Sequence, residues 1–438
     1  MRVLWLSFTA AGAGKLLNSN VAGCGWISSL EDGIKEVPGI TLAVGFFHDQ
    51  AAPAFENLGV KYYPIQKKST GFAGKLKQRL FNSLYDVNPA GIKAVIEDFA
   101  PDVIHIFGTE SGMVDALKVT NIPIVIHLQG LVRPYLSVWF PKGMSQATIM
   151  RHSPFRSLLF RRGYYFEYGL FKKRAAREDA AIAAASHFFG RTHWDKNYVE
   201  LINKNAAYIH CEEVLRAFFN DYEWKKPATN TLRLVTVINP QLYKGLEIIL
   251  ETSNILKRIG DIVFEWHVIG MNSALEIIPI IEKGMSLKFL NNNVLFKGTK
   301  VDAALIDELT SAHMFIHPSH IDNSPNSVCE AMLLGMPVIA GNAGGLSSLI
   351  THGEDGLLYN SYDAYELAAL ITKSYMQPVP LAALGVNARA RAIKRHNIDN
   401  IISTVVDTYR QLINAPAAKT TQTQQAAVQE QLRGDAAL

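Results

Sequence analysis

The stretch from His317 to Tyr359 reads HPSHIDNSPNSVCEAMLLGMPVIAGNAGGLSSLITHGEDGLLY, and its pattern predicts a strand, a helix and a second strand. The apolar run 314–316 predicts a buried strand, and Ser324 followed by Pro325 predicts the N-cap and first turn of a helix. A new apolar run begins at Pro337, after a glycine suited to a helix end. This order is a βαβ unit of a parallel sheet, whose ligands bind at the carboxyl ends of the strands.

Groups suited to bind a phosphate cluster at the predicted helix start. The backbone N–H groups of Asn326 and Ser327 precede any helical acceptor, and the helix dipole adds partial positive charge there. Gly344 and Gly345 open the next loop and allow a ligand to approach the backbone closely. The unit therefore predicts an anion-binding site.

The acidic residues of this unit, followed by AMLLGMPVIA and a Gly-Gly pair, resemble the signature of the family-4 retaining glycosyltransferases, which have the GT-B fold and are among glycosyl transferases group 1. Asp322 and Glu330 hold the two acidic positions, with aspartate where the family usually has glutamate. The resemblance implies that Asp322 contacts hydroxyls of the donor sugar and that Glu330 contacts the ribose of the nucleotide. The alternative is an N-capping aspartate and a glutamate on a solvated helix face.

Length and composition limit the classes of protein. A chain of 438 residues with 48% hydrophobic residues is long enough for two domains with sizeable cores. Its formal net charge of +4 gives no reason to expect nucleic acid as a partner. Three scattered cysteines predict neither a disulfide framework nor a metal site. No apolar run is long enough to span a membrane, and we therefore expect a cytoplasmic protein.

Short apolar runs alternate with helical patterns in both halves, as parallel sheets covered by helices require. The expected fold class is α/β, with the GT-B arrangement of two Rossmann-like, doubly wound domains facing each other across a cleft. The predicted parts are an N-terminal acceptor-binding domain (1–222), a linker (223–231), a C-terminal nucleotide-sugar domain (232–397), a helix that returns to the first domain (398–414) and a disordered tail (415–438).

Lys244 lies in the first strand-to-helix loop of the predicted C-terminal domain, where a cation can reach a diphosphate. The family usually has an arginine five residues earlier, where this chain has Asn239. By itself, a Lys-Gly pair is a common start of a helix. The resemblance implies that Lys244 and Asp322 are catalytic residues. It also implies that the following residues contact the donor: Asn239, Ser324, Asn326, Ser327, Glu330, Gly344 and Gly345.

Two candidate catalytic residues follow a predicted strand of the first half. The family commonly shows His-Gly near the transferring carbon, and Gln129 holds the place of that histidine here. His127 is two residues earlier and, by strand alternation, lies on the same face. The alternative for a lone strand histidine is a position in the core.

Three further residues of the first half are candidates for contacts with the acceptor or a phosphate. Gly23 and Gly25 belong to a glycine-rich loop that lies over the donor's phosphates in GT-B enzymes. Arg191 follows a predicted strand, and its alternative is an ion pair with Glu212 or Glu213 that stabilises the domain.

The resemblance implies a hexosyltransferase that retains anomeric configuration. The chain has no Asp-x-Asp sequence, so we expect no metal, and the nucleotide sugar is a co-substrate rather than a cofactor. A UDP-hexose is favoured over GDP-mannose as donor, and the acceptor is a glycan or a lipid-linked molecule, as in surface polysaccharide synthesis. The main alternative is a non-catalytic subunit that binds a nucleotide or a glycan, and a phosphorylase is a third hypothesis.

Basic residues alternate with aromatic and aliphatic residues between Arg151 and Arg177, and a second basic cluster spans 67–79. Such segments suit an anionic membrane surface or a phosphorylated acceptor. We therefore expect peripheral contact with the inner face of a membrane, with solvated helix faces as the alternative.

Overall fold

A computed structural model describes residues 1–14, 25–66, 88–160 and 162–415. The chain divides into two compact units. The first consists of 1–133, 170–214 and the residues from 397 onward, and the second consists of 134–169 and 215–396.

The first unit contains a sheet with the strand order β3-β4-β2-β1-β5-β6-β7-β8. All neighbouring pairs are parallel except β3 and β4. The chain moves outward from β1 on one side and then returns to continue from β5 on the other, as a doubly wound sheet requires. The strands are β1 (Arg2–Ser7), β2 (Thr41–His48), β3 (Phe55–Asn57), β4 (Val60–Gln66), β5 (Val103–Phe107), β6 (Ile124–His127), β7 (His187–Gly190) and β8 (Ala207–His210).

The second unit contains a parallel sheet with the order β11-β10-β9-β12-β13-β14. Every residue of β12 and β13 is buried, which explains the apolar runs 314–316 and 338–340 in these strands. The strands are β9 (Leu232–Val237), β10 (Phe264–Ile269), β11 (Val294–Gly298), β12 (Met314–His317), β13 (Val338–Gly341) and β14 (Leu357–Tyr359). The predicted fold class, α/β with two Rossmann-like domains, is confirmed.

Helices connect most of the strands. They are α1 (Gly25–Ile34), α2 (Pro89–Phe99), α3 (Val132–Ser137), α4 (Gln146–His152), α5 (Phe155–Leu159), α6 (Tyr164–Ala184), α7 (His193–Ile202), α8 (Leu246–Ile259), α9 (Ile277–Met285), α10 (Asp302–Thr310), α11 (Asn326–Leu334), α12 (Leu346–Leu349), α13 (Ala364–Met376), α14 (Pro378–Arg395) and α15 (Ile398–Asn414). Among the helices of the described ranges, none combines the length and the apolar character needed to cross a bilayer.

The compact units differ from the predicted domain boundaries, because the segment 134–169 belongs to the second unit and not to the first. The Tyr164 hydroxyl donates to the Pro240 carbonyl at 3.0 Å, and the Ser157 hydroxyl donates to Glu276 at 2.9 Å. These contacts join residues that are 76 and 119 positions apart, so local sequence patterns could not reveal them.

The predicted linker also differs. Trp224 is buried in the second unit, where its backbone N–H donates to the Leu334 carbonyl and its indole N–H to the Ala312 carbonyl, both at 2.7 Å. Residues from Leu215 onward therefore belong to this unit, although the prediction assigned 215–222 to the N-terminal domain.

The helix α15 packs on the first unit through Tyr409, which is fully buried. Its hydroxyl accepts from the Trp5 indole at 3.0 Å and lies 2.6 Å from Nδ1 of His105. Burial lowers the pKa of His105 to about 3, so its ring is neutral at neutral pH and Nδ1 can accept a hydrogen bond from the Tyr409 hydroxyl. The predicted tail lies outside the described residues beyond Ala415.

Tyr409→Phe should lower the free energy of unfolding of the first unit by about 1 to 3 kcal/mol, because two buried polar groups lose their partner. Thermal unfolding followed by circular dichroism measures this effect. Tyr365→Phe is the matched control, since Tyr365 is 68% exposed and its hydroxyl stays hydrated. Equal melting temperatures for the wild type and Tyr409→Phe would contradict the role of this contact.

Candidate functional site

The candidate site lies where the second sheet changes its direction of winding. From β9 the chain continues to β10 and β11 on one side, and it then returns to place β12 against the other side of β9. In open α/β sheets, ligands bind beyond the carboxyl ends of strands at such a switch point. Lys244 follows β9 and Asp322 follows β12, so both residues come from the two strands that flank this point.

Lys244 and Asp322 form an ion pair in the second unit. The Lys244 Nζ donates to Oδ2 of Asp322 at 2.5 Å, and the two side chains are only 14% and 11% exposed. His317 Nε2 lies 3.2 Å from the same oxygen. Burial would raise the pKa of Asp322, but the Lys244 charge and the contact with His317 outweigh burial and hold it well below its usual range. Asp322 is therefore ionised at neutral pH.

The loops that carry these two residues are fastened to each other. The His320 backbone N–H donates to the Tyr243 carbonyl at 2.8 Å, and the His320 ring contacts the buried carboxylate of Glu247. Gly245 has a φ of +75°, and a Cβ there would lie 2.1 Å from the Pro318 carbonyl oxygen. Only glycine allows this approach, so the Lys-Gly pair is more than the start of a helix.

Gly344 and Gly345 support the Asp322 loop from the other side. Gly344 has a φ of +61°, and a Cβ there would lie 2.1 Å from the Asp322 carbonyl oxygen. The Gly345 N–H donates to that same oxygen at 2.8 Å. The Gly345 amide therefore holds the Asp322 backbone, and contacts of Gly344 and Gly345 with the donor stay predictions.

The helix α11 begins one residue later than predicted. Pro325 occupies the N-cap position with an extended ψ of 118°, and no side chain caps the helix. The prediction of Ser324 as N-cap is therefore wrong, and its hydroxyl lies 3.7 Å from the Cys329 sulfur. Asn326 and Ser327 remain in the first turn, where backbone N–H groups have no helical acceptor.

Glu330 lies inside α11 and is buried, which excludes the alternative of a solvated helix face. Arg216 binds both of its oxygens, from Nε to Oε1 at 2.8 Å and from Nη2 to Oε2 at 2.9 Å. The sequence places Arg216 in a motif after a predicted strand, but it does not predict the contact with Glu330. The contact joins residues 114 positions apart, so no local pattern could reveal it.

The candidate residues of the first half lie in the first unit. His127 is fully buried among aromatic rings, with the Trp26 ring centroid at 4.9 Å. Burial, with the nearby Arg191 charge, lowers the pKa of His127 well below its usual value. Arg191 is 2% exposed, and its Nε lies 3.3 Å from Oε2 of the buried Glu213. Both positions match the structural alternatives, and ligand contacts by His127 and Arg191 stay predictions.

The remaining candidates occupy loop positions. Gln129 is partly buried two residues after the end of β6, and Gly25 is the first residue of α1. Asn239 is exposed at the start of the loop that leads to Lys244. Gly23 lies outside the described residues.

Sequence comparison connects the second unit to known enzymes. The sequence model of the family Glycosyl transferases group 1 matches residues 223–391. The D-inositol 3-phosphate glycosyltransferase of Gordonia bronchialis is 27% identical over 141 residues, which are 32% of this chain and 31% of that protein. Glycosyltransferase AmsK of amylovoran biosynthesis from Erwinia amylovora is 27% identical over 172 residues, 38% of this chain and 41% of that protein. The matched part spans less than half the length of these relatives.

Solved structures resemble the chain over nearly its whole length. Sucrose-phosphate synthase from Thermosynechococcus elongatus has a TM-score of 0.70 and 16% identity, with coverage of 95% of this chain and 100% of that chain. Anabaena Alr3699/HepE in complex with UDP has a TM-score of 0.62 and 17% identity, with coverage of 94% and 100%. The chain therefore has the GT-B fold, and its residues 223–391 match the sequence model of the family glycosyl transferases group 1.

Proposed function

We propose that this protein is a retaining hexosyltransferase that uses a nucleotide-diphosphate sugar, with a UDP-sugar as the favoured donor. The observation that carries the proposal is the ion pair of Lys244 and Asp322 at the switch point of the second sheet, next to the start of α11. Solved structures with the same fold support UDP as the nucleotide, since Alr3699/HepE is described with UDP and with UDP-glucose.

Each residue has a distinct role in this proposal. The Lys244 ammonium has three N–H groups and donates one of them to Asp322. It can therefore also neutralise a phosphate oxygen of the nucleotide sugar. Lys244 and His317 both contact Oδ2 of Asp322, which leaves Oδ1 to accept from a hydroxyl of the sugar. Glu330 accepts from the ribose, and the amides at the start of α11 bind the diphosphate.

The reaction exchanges one bond at the anomeric carbon for another. The bond between that carbon and the leaving phosphate oxygen breaks, and a bond to the acceptor oxygen forms on the same face of the sugar. The acceptor hydroxyl gives its proton to the departing phosphate, so no separate protein base is needed. The acceptor is a glycan or a lipid-linked molecule, and the name of AmsK supports a role in polysaccharide synthesis.

Transfer, or slow hydrolysis of the donor without acceptor, should continue unchanged in excess EDTA, because Lys244 and backbone amides neutralise the diphosphate. Release of UDP from a UDP-sugar measures both reactions. An absolute requirement for magnesium or manganese would contradict this account. UDP binding without any release would favour the non-catalytic subunit instead.

Glu330→Ala should weaken UDP binding by about 2 to 3 kcal/mol, or about thirtyfold or more, because hydrogen bonds to a charged group are lost. Asp322→Asn should leave UDP affinity within about twofold and lower turnover, since its proposed partner is the sugar. Calorimetry with UDP and initial rates with a UDP-sugar measure the two effects. Unchanged UDP affinity in a folded Glu330→Ala variant would contradict the proposed ribose contact.

We further propose that α5 and its neighbours bind an anionic membrane. Phe155 and Leu159 are 75% and 60% exposed, and Arg151, Arg156 and Arg162 are exposed beside them. Segments that bind at a membrane surface typically insert apolar side chains into the lipid and place cationic side chains against the lipid phosphates.

Replacing Arg151, Arg156 and Arg162 by glutamine should reduce binding to phosphatidylglycerol vesicles at least about tenfold at low salt, where charges act over more than about 10 Å. Cosedimentation measures the bound fraction. The matched control replaces the exposed Lys225, Lys226 and Arg258, which lie elsewhere on the second unit. Equal binding of the wild type to neutral and anionic vesicles, or to neither, would contradict the proposal.

A further inference from the structure

Arg216 binds Glu330 with a geometry that fixes the orientation of its carboxylate. The two hydrogen bonds from Arg216, of 2.8 and 2.9 Å, are parallel and reach different oxygens. Such a bidentate pair restricts the plane of the carboxylate, whereas a lysine would hold it through one point charge. The Glu330 side chain is 8% exposed and that of Arg216 is 26% exposed, so solvent screens the pair only in part.

Arg216 itself is fixed by its surroundings. Its guanidinium carbon lies 5.1 Å from the ring centroid of Phe218 and 4.8 Å from that of Phe219, which is fully buried. The buried Trp224 anchors the same segment through its two hydrogen bonds to the body of the second unit. The arginine is thus held in place before any ligand arrives.

The ion pair of Arg216 and Glu330 also compensates the negative charge of Glu330 in the proposed donor site. A buried carboxylate without a partner is costly, and it would repel the diphosphate of an incoming nucleotide. Arg216 offsets the charge of Glu330 and occupies one acceptor direction on each oxygen. A carboxylate offers about four such directions, so the pair does not by itself exclude hydroxyl donors.

We propose that Arg216 is a positioning residue for ribose recognition, because its bidentate pair orients the Glu330 carboxylate toward the ribose hydroxyls of a nucleoside diphosphate. The inference rests on the proposed function and extends it to a residue outside the signature that identifies the family. It implies that the geometry of the Arg216 guanidinium affects recognition of the ribose, whereas its charge offsets that of Glu330.

The test compares UDP with 2′-deoxy-UDP, because the two ligands differ by one ribose hydroxyl. The wild type should prefer UDP by about tenfold or more, since one hydrogen bond to a charged group is lost with the deoxy ligand. In Arg216→Lys and Arg216→Gln, this preference should fall to about threefold or less. The affinity for 2′-deoxy-UDP should change little in Arg216→Lys, which keeps the positive charge beside Glu330. Calorimetry on the full chain gives all of the dissociation constants.

Arg389→Gln is the matched control, because it loosens the segment that carries Arg216 and Trp224 without removing Arg216. The Arg389 guanidinium donates to the Tyr222 carbonyl at 3.1 Å and contacts the Leu333 carbonyl, so it fastens the segment without touching Glu330. This variant should keep the wild-type preference for UDP. In a Glu330→Gln background, adding Arg216→Lys should cause no further loss of preference, because both changes remove the same interaction.

The outcomes separate this inference from the proposed function. Equal losses for UDP and 2′-deoxy-UDP in the Arg216 variants, with the preference retained, would mean that Arg216 only stabilises the fold, and would overturn the inference alone. If the wild type binds neither UDP nor GDP, the proposed function fails and this inference fails with it. A wild type that binds GDP instead is tested in the same way with 2′-deoxy-GDP.

Discussion

The ion pair of Lys244 and Asp322 depends on the adjacency of β9 and β12, two parallel strands that are neighbours in space but distant in sequence. Because side chains at the carboxyl ends of neighbouring parallel strands meet at one edge, the two loops deliver a cation and an anion to the same place. Close backbone contacts at Gly245 and Gly344 then hold the loops at this separation. The remaining features of the candidate site are arranged around this pair.

Buried charge in the second unit is balanced locally. Asp322 has Lys244 and Glu330 has Arg216, so neither carboxylate is buried alone. Removing one partner of a buried pair costs about 3 to 5 kcal/mol, because the remaining charge is left uncompensated. The site therefore keeps two carboxylates, each paired with a cation, close to a helix start that attracts anions.

The loop before Lys244 is supported by the segment 134–169, which local sequence patterns assigned to the first domain. The Tyr243 ring packs against Tyr135 and Trp139, with centroid distances of 4.9 and 5.8 Å. The hydroxyl of Tyr164 binds the carbonyl of Pro240 in the same loop. This packing and the hydrogen bond restrict the loop that carries Lys244.

The sequence by itself determined the fold class, the βαβ unit around Asp322 and Glu330, and the place of Lys244 in the first strand-to-helix loop of the second unit. These follow from local periodicity, turn residues and fixed spacings, which act over a few residues. Only the tertiary structure decided that Arg216 binds Glu330, that Gly345 holds the Asp322 backbone, and that 134–169 packs on the second unit. The physical reason is that ion pairs and side-chain packing join residues about a hundred positions apart, and their formation depends on strand order, which no local pattern contains.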